Sequence, residues 1–118
     1  MAAYSLALER PNEARAFARE ALDAALALRA PDLIALSEQH LASVAALSGD
    51  FSRAALLLGH VDACYESIGL KRDTSELVTY ERLRRDLASG LDDAALQTRL
   101  AAGAAMHDDQ AVAEARRV

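Results

Sequence analysis

His60 and Cys64 stand four residues apart, so an imidazole and a thiol would share one face of a helix. These are the residue types of a zinc-binding edge, or of a thiol nucleophile beside its base. A zinc site needs further donors, and the remaining histidines, His40 and His107, have no spacing that supplies them. Nothing nearby in the chain would stabilise a thiolate or orient the imidazole. Val61, Tyr65 and Ile68 mark an apolar stripe on the same helix, so Cys64 is expected to pack as a small hydrophobe. No metal and no cofactor are expected.

Asp92-Asp93 and His107-Asp108-Asp109 could serve a cation or acid–base chemistry. Both stand where a helix should begin, and carboxylates there cap free backbone N–H groups and oppose the helix dipole. Capping is the expected role. Lys71-Arg72 with Arg82, Arg84 and Arg85 form the densest basic stretch, read as a solvated face with local pairs such as Glu81–Arg85. The alternative is a dock for an acidic or phosphorylated partner. The scattered glycines form no phosphate-binding loop, and no nucleophile elbow occurs. The chain is not expected to be an enzyme.

Residues that act only by position depend on the elements beneath them. The 118 residues are 53% hydrophobic and 26% charged, which suits one globular domain and excludes a disordered chain. Thirteen Lys and Arg against eighteen Asp and Glu leave a net charge of −5, which argues against direct nucleic-acid binding. Charged or polar residues interrupt every apolar run before it reaches the roughly 18 residues of a membrane span. The first ten residues lack the basic start of a secretory signal, and the single cysteine cannot form an internal disulfide. A cytoplasmic protein is the expectation.

Ala, Leu, Arg and Glu dominate, β-branched residues are few, and no stretch alternates as a strand would. The chain therefore reads as all-α. A short helix over about 2–10 is broken at Pro11, and Asn12 is the expected cap of a helix running to about Arg29. Its apolar stripe is Ala14, Phe17, Ala18, Ala21, Leu22, Ala25 and Leu28. Pro31 opens the next helix, with Leu33, Leu36, Leu41, Val44 and Leu47 apolar, and Gly49-Asp50 ends it. Asp50 then caps a helix over 51–68, stopped at Gly69. Asp73 and Glu76 read as a capping box for a helix over 74–89, with Gly90 as its stop. Shorter helices follow from Asp92-Asp93 to about Ala102 and from His107 towards Ala115. Superposing Ala14 on Ala54 aligns two helix openings that each follow a break, and a period near 40 residues is a solenoid signature.

The segment from Ala35 through Leu41-Ala42, Ala45 and Gly49-Asp50-Phe51 to Ala54 resembles a tetratricopeptide-type hairpin. Leu41 would pack between the helices, small Ala42, Ala45 and Ala54 would admit close approach, and Phe51 would plug the hairpin end. Arg53 to Gly59, Ser67-Ile68-Gly69, Tyr80-Glu81-Arg82 and Leu91 to Leu96, with Gly103 and Ala111-Val112-Ala113, resemble a recurring terminal segment. That segment closes the MalT-like, tetratricopeptide-like region of large bacterial regulators that carry a signalling ATPase and often a LuxR-type DNA-binding domain. The aromatic residues common near Leu96 and Leu100 are absent here, as is any tryptophan.

The resemblance implies a single domain over 1–118, built as a right-handed solenoid fragment of antiparallel hairpins, and either part of a larger protein or a stand-alone remnant of one. Its units would be about 1–30 and 31–69, followed by terminal helices over 73–118. It further implies a non-catalytic interaction or effector-sensing module whose groove is lined by Leu36, Gln39 and Ser43, with His40 beside them. The occupant would be a peptide segment, a small effector or another domain of the same regulator. The alternative is a self-association or capping module, a homodimer through an apolar edge at Tyr4, Leu6 and Leu8. A small helical enzyme ranks last.

Overall fold

A computed structural model describes residues 11–118. The expected helix over 2–10 and the candidate dimer edge of Tyr4, Leu6 and Leu8 lie outside the described residues. Within them the chain is all-α, with α1 Pro11–Leu28, α2 Pro31–Leu47, α3 Phe51–Ile68, α4 Thr74–Gly90, α5 Asp93–Ala104 and α6 Asp108–Arg116.

The helix starts follow from side chains that answer free backbone N–H groups. Asp50 accepts from the Arg53 amide at 3.2 Å to cap α3, and Asp92 accepts from the Ala95 amide at 2.7 Å to cap α5. Asp73 and Glu76 form the expected reciprocal box at the head of α4, at 2.8 and 3.2 Å. The start of α1 differs from expectation. The helix begins at Pro11, whose missing N–H costs nothing in a first turn. Asn12 is therefore already inside the helix, and its side chain accepts from the Arg15 guanidinium at 3.2 Å instead of capping.

Arg29 and Ala30 alone separate α1 from α2, and Ser48 to Asp50 separate α2 from α3. Helices packed on each other across connections this short must run antiparallel. Gly49 and Gly69, at φ +89° and +69°, make the turns that close α2 and α3. The main packing partners of α3 are α2 and α5, and α1 lies against α2. Leu22, Leu41, Leu57, Leu58, Leu83 and Leu87 fill the core between these helices and α4. The stripe expected on α1 is narrower than its sequence suggests. Ala14, Ala18, Leu22 and Ala25 are buried, whereas Phe17 and Leu28 remain 60% and 72% exposed.

Two glycines, Gly59 and Gly103, lie inside helices. A Cβ at Gly59 would land on the carbonyl oxygen of Leu100, and a Cβ at Gly103 on the carbonyl oxygen of Leu56. α3 and α5 thus cross backbone to backbone, each helix offering a glycine to the other's carbonyl. Gly90 serves a related purpose, because the Phe51 ring rests where its Cβ would be.

Arg72 departs from the expected solvated face. Its guanidinium lies 4.3 Å from the Tyr65 ring centre and 3.9 Å from that of Tyr80. It donates to Gln39 Oε1 at 2.8 Å and Asp62 Oδ1 at 3.0 Å, while the Tyr80 hydroxyl donates to Asp62 Oδ2 at 3.2 Å. One cation therefore joins α2, α3 and α4. α6 is clamped separately, by Arg53 to Glu114 at 3.2 Å and Arg116 to Asp23 at 2.9 Å.

Gly103→Ala tests the crossing by its sign. Helix propensity alone would stabilise the variant by up to about 1 kcal/mol. The close approach instead makes it destabilising, by on the order of 1–3 kcal/mol. Urea unfolding decides: a variant more stable than the parent would mean that α3 and α5 do not meet here.

Candidate functional site

Three helices each present an i, i+4 pair to one cavity of about 370 Å³: Ile34 and Glu38 from α2, His60 and Cys64 from α3, Asp108 and Val112 from α6. Leu26 of α1 and Pro31 complete an apolar wall opposite a polar corner. A second cavity of about 250 Å³ shares His60, Cys64 and Asp108 and extends towards Ile68 and Met106. The polar corner is thus the partition between two spaces.

His60 organises that corner. Its Nε2 lies 3.3 Å from Cys64 Sγ and 3.3 Å from Asp108 Oδ1. The three donor atoms all fall within 4.8 Å of one another. The imidazole is buried, and its Nδ1 has no partner among the described residues. The Asp108 side chain, in contrast, is 93% exposed. Glu38 is 1% exposed, and its Oε2 likewise has no partner among the described residues. Burial, reinforced by the charge of Asp108, pushes the Glu38 carboxyl up to about 8. It is therefore mainly a neutral acid at pH 7.

This arrangement binds more readily than it reacts. Burial, then the charges of Glu38 and Asp108, push the Cys64 thiol up to about 11, so the thiolate is scarce at neutral pH. A nucleophile–base–acid relay also uses both ring nitrogens, one for the nucleophile and one for the orienting acid. Here thiol and carboxylate converge on the same Nε2.

The residues expected to line an open groove lie elsewhere. Gln39 and Ser43 are buried, and Leu36 and His40 are half-buried. Gln39 is taken up by Arg72, and burial holds the His40 pKa below its ordinary value. The face of α2 assigned to a partner is packed against the protein's own helices, because α4 folds back over it through Arg72.

Sequence reasoning found His60 and Cys64 but not the third donor, because Asp108 arrives from a distant helix start. It also missed Glu38. A carboxylate flanked by Ala35, Leu36, Leu41 and Ala42 on a mostly apolar helix was the available signal. Asp108 was expected only as an N-terminal charge for α6, a place it does occupy while also reaching His60.

Comparison of the chain with protein-family models, curated proteins and solved structures finds no match.

The Glu38 shift sets a pH dependence. The unfolded chain gives up this proton near 4.5 and the folded chain only near 8. The folded state's advantage is complete below the lower value and is lost as pH rises through the upper one. Wild-type stability should fall between about pH 5 and about pH 8 by more than that of Glu38→Gln, whose side chain does not titrate. Urea midpoints at both pH values, in metal-free buffer, measure this. Equal losses in the two proteins would mean that Glu38 is not buried as an acid.

Proposed function

We propose that this chain is a non-catalytic effector-sensing module, a tetratricopeptide-like helical-repeat domain of a cytoplasmic bacterial regulator. The observation that carries the reading is the cavity of about 370 Å³, with its apolar wall and polar corner. Its size suits a small molecule rather than a peptide, and burial of Gln39 and Ser43 speaks against an open groove at those residues. The side chains of Asp108 and Asp109 among its lining residues favour an apolar molecule with a cationic head. The repeat gains support from register. α1 and α3 are both 18 residues long, and Ala14 and Ala54 are each the fourth residue of their helix and buried. α2 and α4 are both 17 residues long.

Binding here needs no bond chemistry. The ligand's apolar part would displace water from Leu26, Ile34 and Val112, and its head would meet the carboxylates. The expected result is saturable binding of hexylamine, and little of hexanoate, by isothermal titration calorimetry. Ile34→Trp, which fills the cavity, should abolish it while leaving the helical circular dichroism unchanged. Equal binding of both compounds, or full binding by Ile34→Trp, would sink the reading.

A second reading, association of two copies of the chain, draws on Phe17 and Leu28. They stand about three turns apart on one side of α1, and both are mostly exposed. Light scattering on the parent and on Phe17→Ser should then give a dimer and a monomer. A strictly monomeric parent at its highest soluble concentration would exclude this association.

A further inference from the structure

We propose that His60, Cys64 and Asp108 form a binding site for a divalent transition-metal ion of the zinc type, with its remaining coordination position open to the cavity. The inference concerns the polar corner and stands whether or not the cavity also takes an organic effector.

The distances fit the ion. Bonds of about 2.0–2.3 Å at the tetrahedral angle set neighbouring donors roughly 3.3–3.6 Å apart. Two edges of the cluster, Nε2 to Sγ and Nε2 to Oδ1, are each 3.3 Å. The third lies within 4.8 Å, and Asp108 is exposed enough to turn inward and close it. The donor types agree as well. Imidazole, thiolate and carboxylate suit zinc, cobalt and nickel, while magnesium and calcium prefer oxygen alone.

Charge gives a second, independent reason. Glu38 lines the same cavity, almost fully buried, with an oxygen that has no partner among the described residues. A buried polar atom without a partner is costly, and this one belongs to a residue that lines the same cavity as Asp108. A water held by the ion at its open position, facing the cavity, would give that oxygen a partner. The thiolate of Cys64 and the carboxylate of Asp108 together neutralise the dication, so no net charge is buried by the coordination sphere. Binding replaces the thiol proton with the metal and releases that proton to solvent.

The site is also built from rigid parts. His60 and Cys64 lie one turn apart on α3, directly beside the crossing, since a Cβ on Gly103 would press the His60 backbone amide. Asp108 opens α6, which Arg53 and Arg116 hold against α3 and α1. The mixed set also differs from a closed structural site. Three protein donors with a vacancy facing a cavity leave room for an exchangeable ligand.

The test uses the untagged, thiol-reduced chain after removal of metals with a chelator. Cobalt(II) titration should saturate at one ion per chain, with thiolate-to-cobalt charge transfer and visible bands of tetrahedral intensity. Zinc should displace the cobalt, and excess magnesium should not. Cys64→Ser should abolish the charge-transfer band. Asp108→Asn should weaken binding by more than about tenfold with helicity unchanged. The exposed Asp108 decides the matter even if a change at buried His60 prevents folding. Absence of the charge-transfer band at saturating cobalt, or Asp108→Asn binding at parental affinity, would overturn the proposal. Hexylamine titrated into chelated protein reads the apolar cavity separately, so each reading can fail without the other.

Discussion

The crossing of α3 and α5 at Gly59 and Gly103 is the constraint on which the remaining structure depends. Each glycine removes the one atom that would hold the facing carbonyl away. The gain is contact: helix backbones brought this close let short side chains interdigitate where longer ones would be needed. With no tryptophan and only five Phe and Tyr residues in all, the protein must build its core from Leu and Ala. Small residues fill space only when helices approach closely. Ala42, Ala45, Ala54 and Ala55, all buried around the same helices, follow the same logic.

A close crossing on one side of α3 shapes what the other surfaces can do. His60 follows Gly59 directly and is buried with it, and Cys64 follows one turn later at the cavity edge. α6 then delivers Asp108 to the same place. The molecule consequently places several costly features in one corner: one carboxyl oxygen and one imidazole nitrogen buried without a partner among the described residues, and a thiol held protonated. Arg72, Asp62 and Tyr80 answer one another, whereas Gln39 Nε2 and Ser43 Oγ on α2 are also buried without a partner among the described residues. Two unanswered atoms, on Glu38 and His60, belong to residues that line one cavity, where a ligand can supply the missing partner.

Arg72 shows why charge patterning along a chain is a weak guide. Beside Lys71, and in the same stretch as Arg82, Arg84 and Arg85, it looks like part of a solvated basic face. In the fold it lies between two tyrosine rings and joins three helices. Its planar, multidentate head suits that role as a lysine ammonium would not. The same contact draws Gln39 inward and removes it from the surface where helix periodicity alone would leave it. Two expectations thus changed for one reason, the placement of α4 over α2.

Helix identity, order and most boundaries were legible in the sequence, because caps and breaks act within a few residues. Asp50, Asp73 with Glu76, Asp92, Gly49 and Gly69 each satisfy or release local backbone, and they do so wherever the chain goes next. The pair His60 and Cys64 was legible for the same reason, since one helical turn sets its geometry. What the tertiary structure decided is everything that requires two distant segments to meet. It made Gly59 and Gly103 a contact, left Phe17 and Leu28 outside the core, and buried Glu38 against a cavity. It also brought Asp108 to His60, a distance that no local rule of spacing can express. Local chemistry sets the elements, but a three-donor corner exists only after α3 and α6 have packed.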